Sequence, residues 1–130
     1  MSAWRNEAIK RFPEHIKEIK NAENAYALWI DIRQWFETAY DNGNLELISL
    51  IYNYLSWTLE QPRESTADDD LSTAASVCFV EHIPEYPKAR ADMHRWWSKK
   101  LFDSYKPLFI YSLGQEEADR LTLEIYPRLA

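Results

Sequence analysis

The feature that most constrains the fold is a stretch of fifteen residues, Leu45 to Leu59, with the sequence LELISLIYNYLSWTL. Its polar positions recur every three or four residues, which is the spacing of one narrow stripe along a helix. The stripe consists of Glu46, Ser49, Asn53, Ser56 and, just past the stretch, Glu60. A helix that is apolar over the rest of its circumference has to be enclosed by other helices on several sides. The stretch therefore predicts a central apolar helix, residues 44–60.

Patterns of helical period continue on both sides of this central helix, so the predicted fold class is all-α. We expect a single compact domain over residues 1–130, with about six helices around the central one. We also expect a kink or a short break before Pro107, because the residue that precedes a proline avoids the helical conformation. The other predicted helices cover residues 2–12, 25–42, 69–82, a segment that starts at Pro87, and residues 115–125. The predicted core contains Trp29, Trp35, Ile48, Ile51, Leu55 and Cys78.

Composition excludes several classes of protein. Two glycines among 130 residues supply few of the tight turns that a hairpin-rich β fold needs. The single cysteine, Cys78, excludes an internal disulfide framework and fits a reducing cytoplasm. No apolar run approaches the roughly 18 residues of a membrane span, and the N-terminus lacks the apolar region of a signal peptide. The sequence therefore predicts a cytoplasmic protein, monomeric or weakly dimeric, that does not enter a membrane.

The net charge of −6 is distributed unevenly along the chain. Residues 21–87 carry twelve acidic side chains and two basic ones, a net charge of −10, whereas residues 88–106 have a net charge of +4. An acidic body argues against nucleic acid as a partner, because binding to phosphates needs a basic surface. It favours a basic protein partner instead.

No pattern of residues predicts catalysis, a metal site or a cofactor. The three histidines, His15, His82 and His94, are too scattered for a metal site, and paired cysteines are absent. Neither glycine belongs to a phosphate-binding loop. Cys78 is interpreted as a buried thiol that acts as a small hydrophobic side chain.

The remaining candidate site is an aromatic residue next to a dense run of acids. We define the acidic edge by these predicted partner-binding residues: Trp57, Glu60, Glu64, Asp68, Asp69 and Asp70. Protein interfaces use aromatic anchors that are surrounded by a charged rim. Two alternatives stay open, because Trp57 can simply belong to the core and the aspartates can serve as a solvated helix start.

One segment carries a resemblance to known proteins. The sequence LSTAASVCFVEHIPE, residues 71–85, follows an acidic loop and a long apolar helix. In this setting it resembles a segment of small all-helical bacterial proteins of unassigned function, in which a helix of small residues ends in a phenylalanine, an acid and a break. Phe79, Glu81 and Pro84 match those features. Some of these proteins resemble immunity partners of secreted toxins, and the resemblance, over residues 44–87, implies no catalytic residue.

Three functions agree with these observations. The first is a non-catalytic immunity-type protein that binds and neutralises a bacterial toxin through its acidic surface, with a basic toxin domain as the candidate partner. The second is a small-ligand-binding or enzymatic helical domain, with an aromatic-lined pocket that uses Tyr52, Tyr54 or Trp57. The third is a regulatory or scaffold domain. A secreted toxin encoded next to this chain would favour the first.

Overall fold

A computed structural model describes residues 2–62 and 70–127. The all-α prediction is confirmed: the described residues form eight α-helices, rather than about six, and no strand. The helices are α1 Ala3–Arg11, α2 Ile16–Asn21, α3 Ala25–Asn42, α4 Leu45–Leu59, α5 Leu71–Cys78, α6 Pro87–Trp96, α7 Lys99–Leu113 and α8 Gln115–Ile125. Short 3₁₀ helices cover Pro13–His15 and Val80–Glu85.

Packing divides the chain into two compact units, Met1–Val80 and Glu81–Ala130. The first unit contains helices α1 to α5, and the second contains α6 to α8. The proposal of one domain over residues 1–130 stays a prediction.

The predicted central helix α4 packs against α1, α3 and α5 in the first unit. Ile48, Ile51 and Leu55 on its apolar side are buried, whereas Asn53 and Ser56 on its polar stripe are exposed. Asn44 caps the helix, because its side-chain oxygen accepts a hydrogen bond from the backbone N–H of Leu47 at 3.1 Å. The nearly all-round apolar pattern of α4 is therefore matched by neighbours on three sides.

Buried aromatic rings fill the space between these helices. Tyr54 on α4 stacks on Trp29 of α3, with the ring centroids 5.3 Å apart. Phe79, the residue after α5, contacts the rings of both Trp29 and Phe36, at 5.2 and 4.9 Å between centroids. Such ring pairs add about 0.5–1.5 kcal/mol each beyond the area that they bury. The core of the first unit is thus an aromatic cluster to which four helices or their ends contribute, since Phe12 also contacts Tyr54 edge-on.

The second unit combines an aromatic core with an ion-pair network. Trp97 is buried and meets the rings of Phe102 and Phe109 on α7. Arg90 on α6 donates hydrogen bonds to Glu117 and Glu124 on α8, at 2.7 Å to each carboxylate. These hydrogen bonds raise the pKa of Arg90 and lower the pKa of Glu117. The network therefore joins the two helices through one guanidinium group.

Helix α7 continues through Pro107, so the expected short break does not occur, and a kink at this point stays a prediction. Phe102 and Phe109 lie on either side of the proline, both fully buried, and their rings stack at 5.6 Å. This packing holds both halves of the helix against the same core, which offsets the backbone hydrogen bond that proline cannot make. The chain breaks earlier instead, at Trp97 and Ser98, where the Ser98 hydroxyl caps α7.

Two predicted core residues are only half-buried. Trp35 lies between core and surface, where its ring stacks on His15 with centroids 3.9 Å apart. Cys78 is the last residue of α5, which ends four residues before the predicted end, and the alanines Ala74 and Ala75 take the buried positions. The other predicted core residues, Trp29, Ile48, Ile51 and Leu55, are buried as expected.

Helix α5 begins at a buried aspartate cap. The Asp70 side chain accepts hydrogen bonds from the backbone N–H groups of Ser72 and Thr73, at 3.1 and 3.4 Å. An N-terminal cap of this kind is worth about 1 kcal/mol. We expect Asp70→Ala to lower the free energy of unfolding by about 1 kcal/mol, as measured by urea denaturation, because it leaves these donors unpaired. Asp70→Asn is the matched control, since asparagine caps equally well; equal destabilisation by both changes would contradict this role.

A buried hydroxyl on α4 offers a second test of the packing. Thr58 is 1% exposed, and its Oγ1 atom has no hydrogen-bond partner among the described residues. An unsatisfied buried polar group costs about 1–3 kcal/mol, and valine has nearly the shape of threonine. We therefore expect Thr58→Val to raise the free energy of unfolding by about 1 kcal/mol in urea denaturation. A loss of stability would mean that the hydroxyl has a partner in solution.

Candidate functional site

The acidic edge is described in part. Trp57 and Glu60 lie at the end of α4, and Asp70 lies at the start of α5. Glu64, Asp68 and Asp69 fall outside the described residues. These two ends belong to helices that pack against each other, so the described part of the edge lies within the first unit.

Trp57 is neither a core residue nor a free surface side chain. It is half-buried, and its ring lies parallel to that of Tyr54, with centroids 5.7 Å apart and planes 9° apart. Tyr54 is itself fixed, because its hydroxyl donates a hydrogen bond to the carbonyl of Trp4 at 2.9 Å. Burial, with a contribution from Glu7, raises the pKa of Tyr54, so this hydroxyl stays a donor. The Trp57 ring is thus held in place by a rigid neighbour while part of it remains accessible.

The two described acids of the edge differ in exposure. Glu60 is exposed, whereas Asp70 is 4% exposed and caps α5. A carboxylate that accepts backbone hydrogen bonds in a buried position contributes to the local field but offers little surface to a partner. Glu60 and Trp57 are therefore the described residues of the edge that are available for contact.

A cavity of about 580 Å³ lies near this edge. Gln61 and Pro62 after α4, and Leu71 on α5, form part of its lining, with Trp4 as its aromatic residue. Tyr52 and Tyr54 are buried in the core, and neither of them nor Trp57 lines this cavity, so the aromatic-lined pocket that the sequence suggested stays a prediction. The full lining consists of Ser2, Ala3, Trp4, Arg5, Glu23, Asn24, Ala25, Gln61, Pro62 and Leu71.

A second concave surface lies between the end of α2 and the first half of α3. Its volume is about 400 Å³, and it contains Ile30, which is 55% exposed. Three carboxylates and no lysine or arginine line it. We call this surface the Ile30 groove, and its lining residues are Glu18, Asn21, Ala22, Glu23, Ala27, Ile30 and Asp31.

A third and smaller cavity, of about 170 Å³, lies beside His15 and the start of α4. The His15 ring stacks on Trp35, and its Nδ1 atom is buried without a hydrogen-bond partner among the described residues, 3.8 Å from a carboxylate oxygen of Glu18. The volume is below that of ordinary small-molecule sites, about 300–1,000 Å³. This cavity therefore fits a structural role for His15 better than a ligand site.

Cys78 ends α5, and His82 lies in the 3₁₀ helix that follows. Partial burial raises the pKa of the Cys78 thiol, so the reactive thiolate is disfavoured. His82 pairs with Glu85 at 2.9 Å, three residues further along the chain. Within residues 2–62 and 70–127, no group of three or more His, Cys, Asp or Glu side chains could hold a metal ion. The absence of catalysis and of a bound metal stays a prediction.

The net charge is divided unequally between the two units. Met1–Val80 contains thirteen acidic and seven basic residues, a net charge of −6, and Glu81–Ala130 contains eight of each. The entire net charge of the chain therefore belongs to the first unit, which also contains the acidic edge and the Ile30 groove. In the part of the chain that the structure describes, no helix is both long and apolar enough to cross a membrane.

Sequence reasoning did not identify the Ile30 groove. The groove combines residues of two helices, and their approach depends on the turn between them rather than on one local pattern. One signal was available, because Ile30 lies outside the apolar stripe of α3 and next to Asp31 on its solvated side. An aliphatic side chain in that position has no use in the core, which is a reason to ask what else it contacts.

Comparison with protein families gives one result. Residues 5–117 match a family described as a domain of unknown function (DUF7674). No curated protein and no solved structure matches the chain significantly. The family match begins in α1 and ends in α8, so it includes helices of both units. Because it covers most of the chain, the chain belongs to the DUF7674 family.

Proposed function

We propose that this protein is a non-catalytic cytoplasmic binding domain whose acidic first unit binds a basic protein. The observation that carries the proposal is the charge division: the first unit has a net charge of −6 and the second is neutral. Solubility alone does not require charge of one sign to be concentrated in one unit. Concentrated charge accelerates the encounter with an oppositely charged surface and discourages partners of like charge.

Two features of the first unit support contact rather than attraction alone. Trp57 is held against Tyr54 with part of its ring exposed, so little conformational entropy is lost when a partner covers it. Glu60, three residues later along the chain, provides an exposed charge close to that ring. An aromatic anchor with a charged rim is the arrangement that concentrates binding energy in protein interfaces.

The most specific form of the proposal is an immunity-type protein that neutralises a bacterial toxin. Its support is the resemblance of residues 44–87 to small helical bacterial proteins, together with the acidic first unit. In this form the partner is a basic toxin domain, and the binding domain occludes it without chemistry. A regulatory or scaffold domain would use the same surface toward a different basic protein.

A small-molecule site is the alternative, and one observation favours it. The cavity near the acidic edge has a volume of about 580 Å³, which lies within the range of ligand pockets. Its lining, however, contains one aromatic ring, that of Trp4, and Arg5 in the lining already donates hydrogen bonds to backbone carbonyls of Ile19 and Ala22. The cavity therefore offers few free polar groups that could orient a ligand.

The toxin hypothesis is tested by co-expression with the product of the adjacent gene. We expect co-expression to restore the growth that the toxin inhibits, and the two proteins to form a stoichiometric complex on gel filtration. The association rate, from stopped-flow fluorescence, should fall at least several-fold between about 50 and 500 mM salt, because exposed charges are screened. Replacing Glu60, Glu64 and Asp68 by Gln, Gln and Asn should slow association several-fold at low salt. A rate that responds to neither change would contradict binding through the acidic surface.

Trp57→Ala separates the anchor from the core interpretation. As a half-buried ring with one stacked neighbour, Trp57 should contribute about 1–2 kcal/mol to the free energy of unfolding. The buried Trp29 is the comparison, and Trp29→Ala should cost about 3–5 kcal/mol. As an anchor, Trp57 should also contribute about 2 kcal/mol to partner binding, or roughly thirty-fold in affinity. Unchanged affinity together with a loss of stability like that of Trp29→Ala would assign Trp57 to the core.

A further inference from the structure

The lining of the Ile30 groove is partly apolar and partly acidic. We call Ala22, Ala27 and Ile30 its apolar floor, and Glu18, Glu23 and Asp31 its acidic walls. Ala22 and Ala27 leave space beside Ile30, because a methyl group is all that each side chain contributes. Ile30 is 55% exposed, although isoleucine is among the residue types that are most often buried. An aliphatic side chain of a partner could therefore replace water over Ile30 without any change in the core.

The walls of the groove carry uncompensated negative charge. A carboxylate oxygen of Glu18 lies 3.8 Å from the Nδ1 atom of His15, which carries a positive charge only when the ring is protonated. Neither Glu23 nor Asp31 forms an ion pair with a lysine or an arginine of the described residues. Lysine and arginine are also absent from the lining. A cation that enters the groove would thus find carboxylates that no other basic side chain already binds.

Hydrogen bonds fix the turn that joins the two sides of the groove. The Arg5 guanidinium donates to the carbonyl oxygens of Ile19 and Ala22, at 2.6 and 2.9 Å, and so holds the end of α2. On the other side, the Asn24 side chain accepts a hydrogen bond from the backbone N–H of Ala27 at 2.9 Å and caps α3. A surface that is already ordered costs less conformational entropy when it binds.

We propose that the Ile30 groove binds a cationic segment of a partner protein, with one aliphatic side chain packed on Ile30 and lysine or arginine side chains paired with Glu23 and Asp31. This inference rests on the proposed function and names the chemistry of the segment that is recognised. The apolar floor accounts for the aliphatic side chain, and the unpaired carboxylates account for the cations. Nucleic acids and anionic membranes carry the same sign of charge as the walls and are repelled.

The size of the groove limits what it can hold. Ala27 and Asp31 are four residues apart on α3, which corresponds to about 6 Å along the helix axis. One aliphatic side chain with basic residues on either side fills that length. The groove therefore recognises a short element, and the acidic edge would contact the partner separately.

Synthetic peptides test this inference without the natural partner. The probe is a labelled helical peptide of about twelve residues, built from lysine with leucine on one face, and its affinity is measured by fluorescence anisotropy at low salt. Two further peptides replace every leucine by serine, or every lysine by glutamate. We expect the lysine–leucine peptide to bind at least ten-fold more tightly than either, because each replacement removes one of the two proposed contacts.

Variants locate the binding surface. Two variants should each weaken the binding of the lysine–leucine peptide at least five-fold, with the thermal unfolding midpoint nearly unchanged. They are Ile30→Ser and the double change Glu23→Gln with Asp31→Asn. Leu45→Ser is the matched apolar control, since Leu45 is 53% exposed and lies outside the groove. Glu14→Gln with Glu46→Gln is the matched charge control, because it removes the same charge beside the smaller cavity. Both controls should leave the affinity within two-fold.

Each contrary result overturns the inference. If a control variant weakens peptide binding as much as the corresponding groove variant does, the peptide binds through net charge or nonspecific apolar contact and not through the groove. If the serine peptide binds as tightly as the leucine peptide, the apolar floor is not used. A natural partner, once identified, separates the two proposals. If groove variants leave its affinity unchanged while neutralisation of the acidic edge slows its association, the groove proposal is refuted and the proposed function stands.

Discussion

The first unit depends on the position of Tyr54. Its ring is stacked between Trp29 and Trp57, at 5.3 and 5.7 Å, and is met edge-on by Phe12. Its hydroxyl donates to the carbonyl of Trp4, so one side chain on α4 is in contact with α1, α3 and its own helix. A buried hydroxyl without a partner costs free energy, and the Trp4 carbonyl of α1 supplies the partner of this one. The stacking of Trp57 on Tyr54 also holds the Trp57 ring half-exposed. One side chain, Tyr54, therefore supports both the packing of the core and the proposed anchor of the binding surface.

The parts of the fold that the sequence predicted well are those governed by local chemistry. The bounds of α3 follow from the Asn24 cap and from Gly43, whose φ of 67° is in the left-handed region that glycine favours. The α4 stripe of polar residues follows from period alone. Pro107 shows the limit of such rules, because the cost of proline inside α7 is local, whereas the burial of Phe102 depends on Trp97 and Tyr126 outside that helix. The predicted burial of Trp35 was wrong for the same kind of reason, because the surroundings of its ring depend on His15, which belongs to another element.

The candidate site divides in the same way. The acidic edge is nearly contiguous in sequence, so it could be predicted from residues 57–70 alone. The sequence could not show whether Asp70 is a buried helix cap or a surface residue. The Ile30 groove needs the end of α2 beside α3, which the Arg5 guanidinium fixes from a third helix. No periodicity in α3 encodes that arrangement. Its only trace in the sequence is an isoleucine among solvated neighbours.

The hydrogen bond between Tyr54 and Trp4 also has a consequence for the order in which the unit can be assembled. This hydrogen bond joins residues that are 50 positions apart in the chain. The ring of Tyr54 also stacks on that of Trp29, and Trp29 in turn contacts Phe79. During synthesis the N-terminus emerges first, yet the Tyr54 hydroxyl that donates to the Trp4 carbonyl is not present until residue 54 has left the ribosome. The first helix to be made therefore gains this contact with α4 only after α4 has been made. Before that point Arg5 can already bind the carbonyls of the α2 turn, only 14 to 17 residues away, so the contact of α1 with α2 can precede its contact with α4.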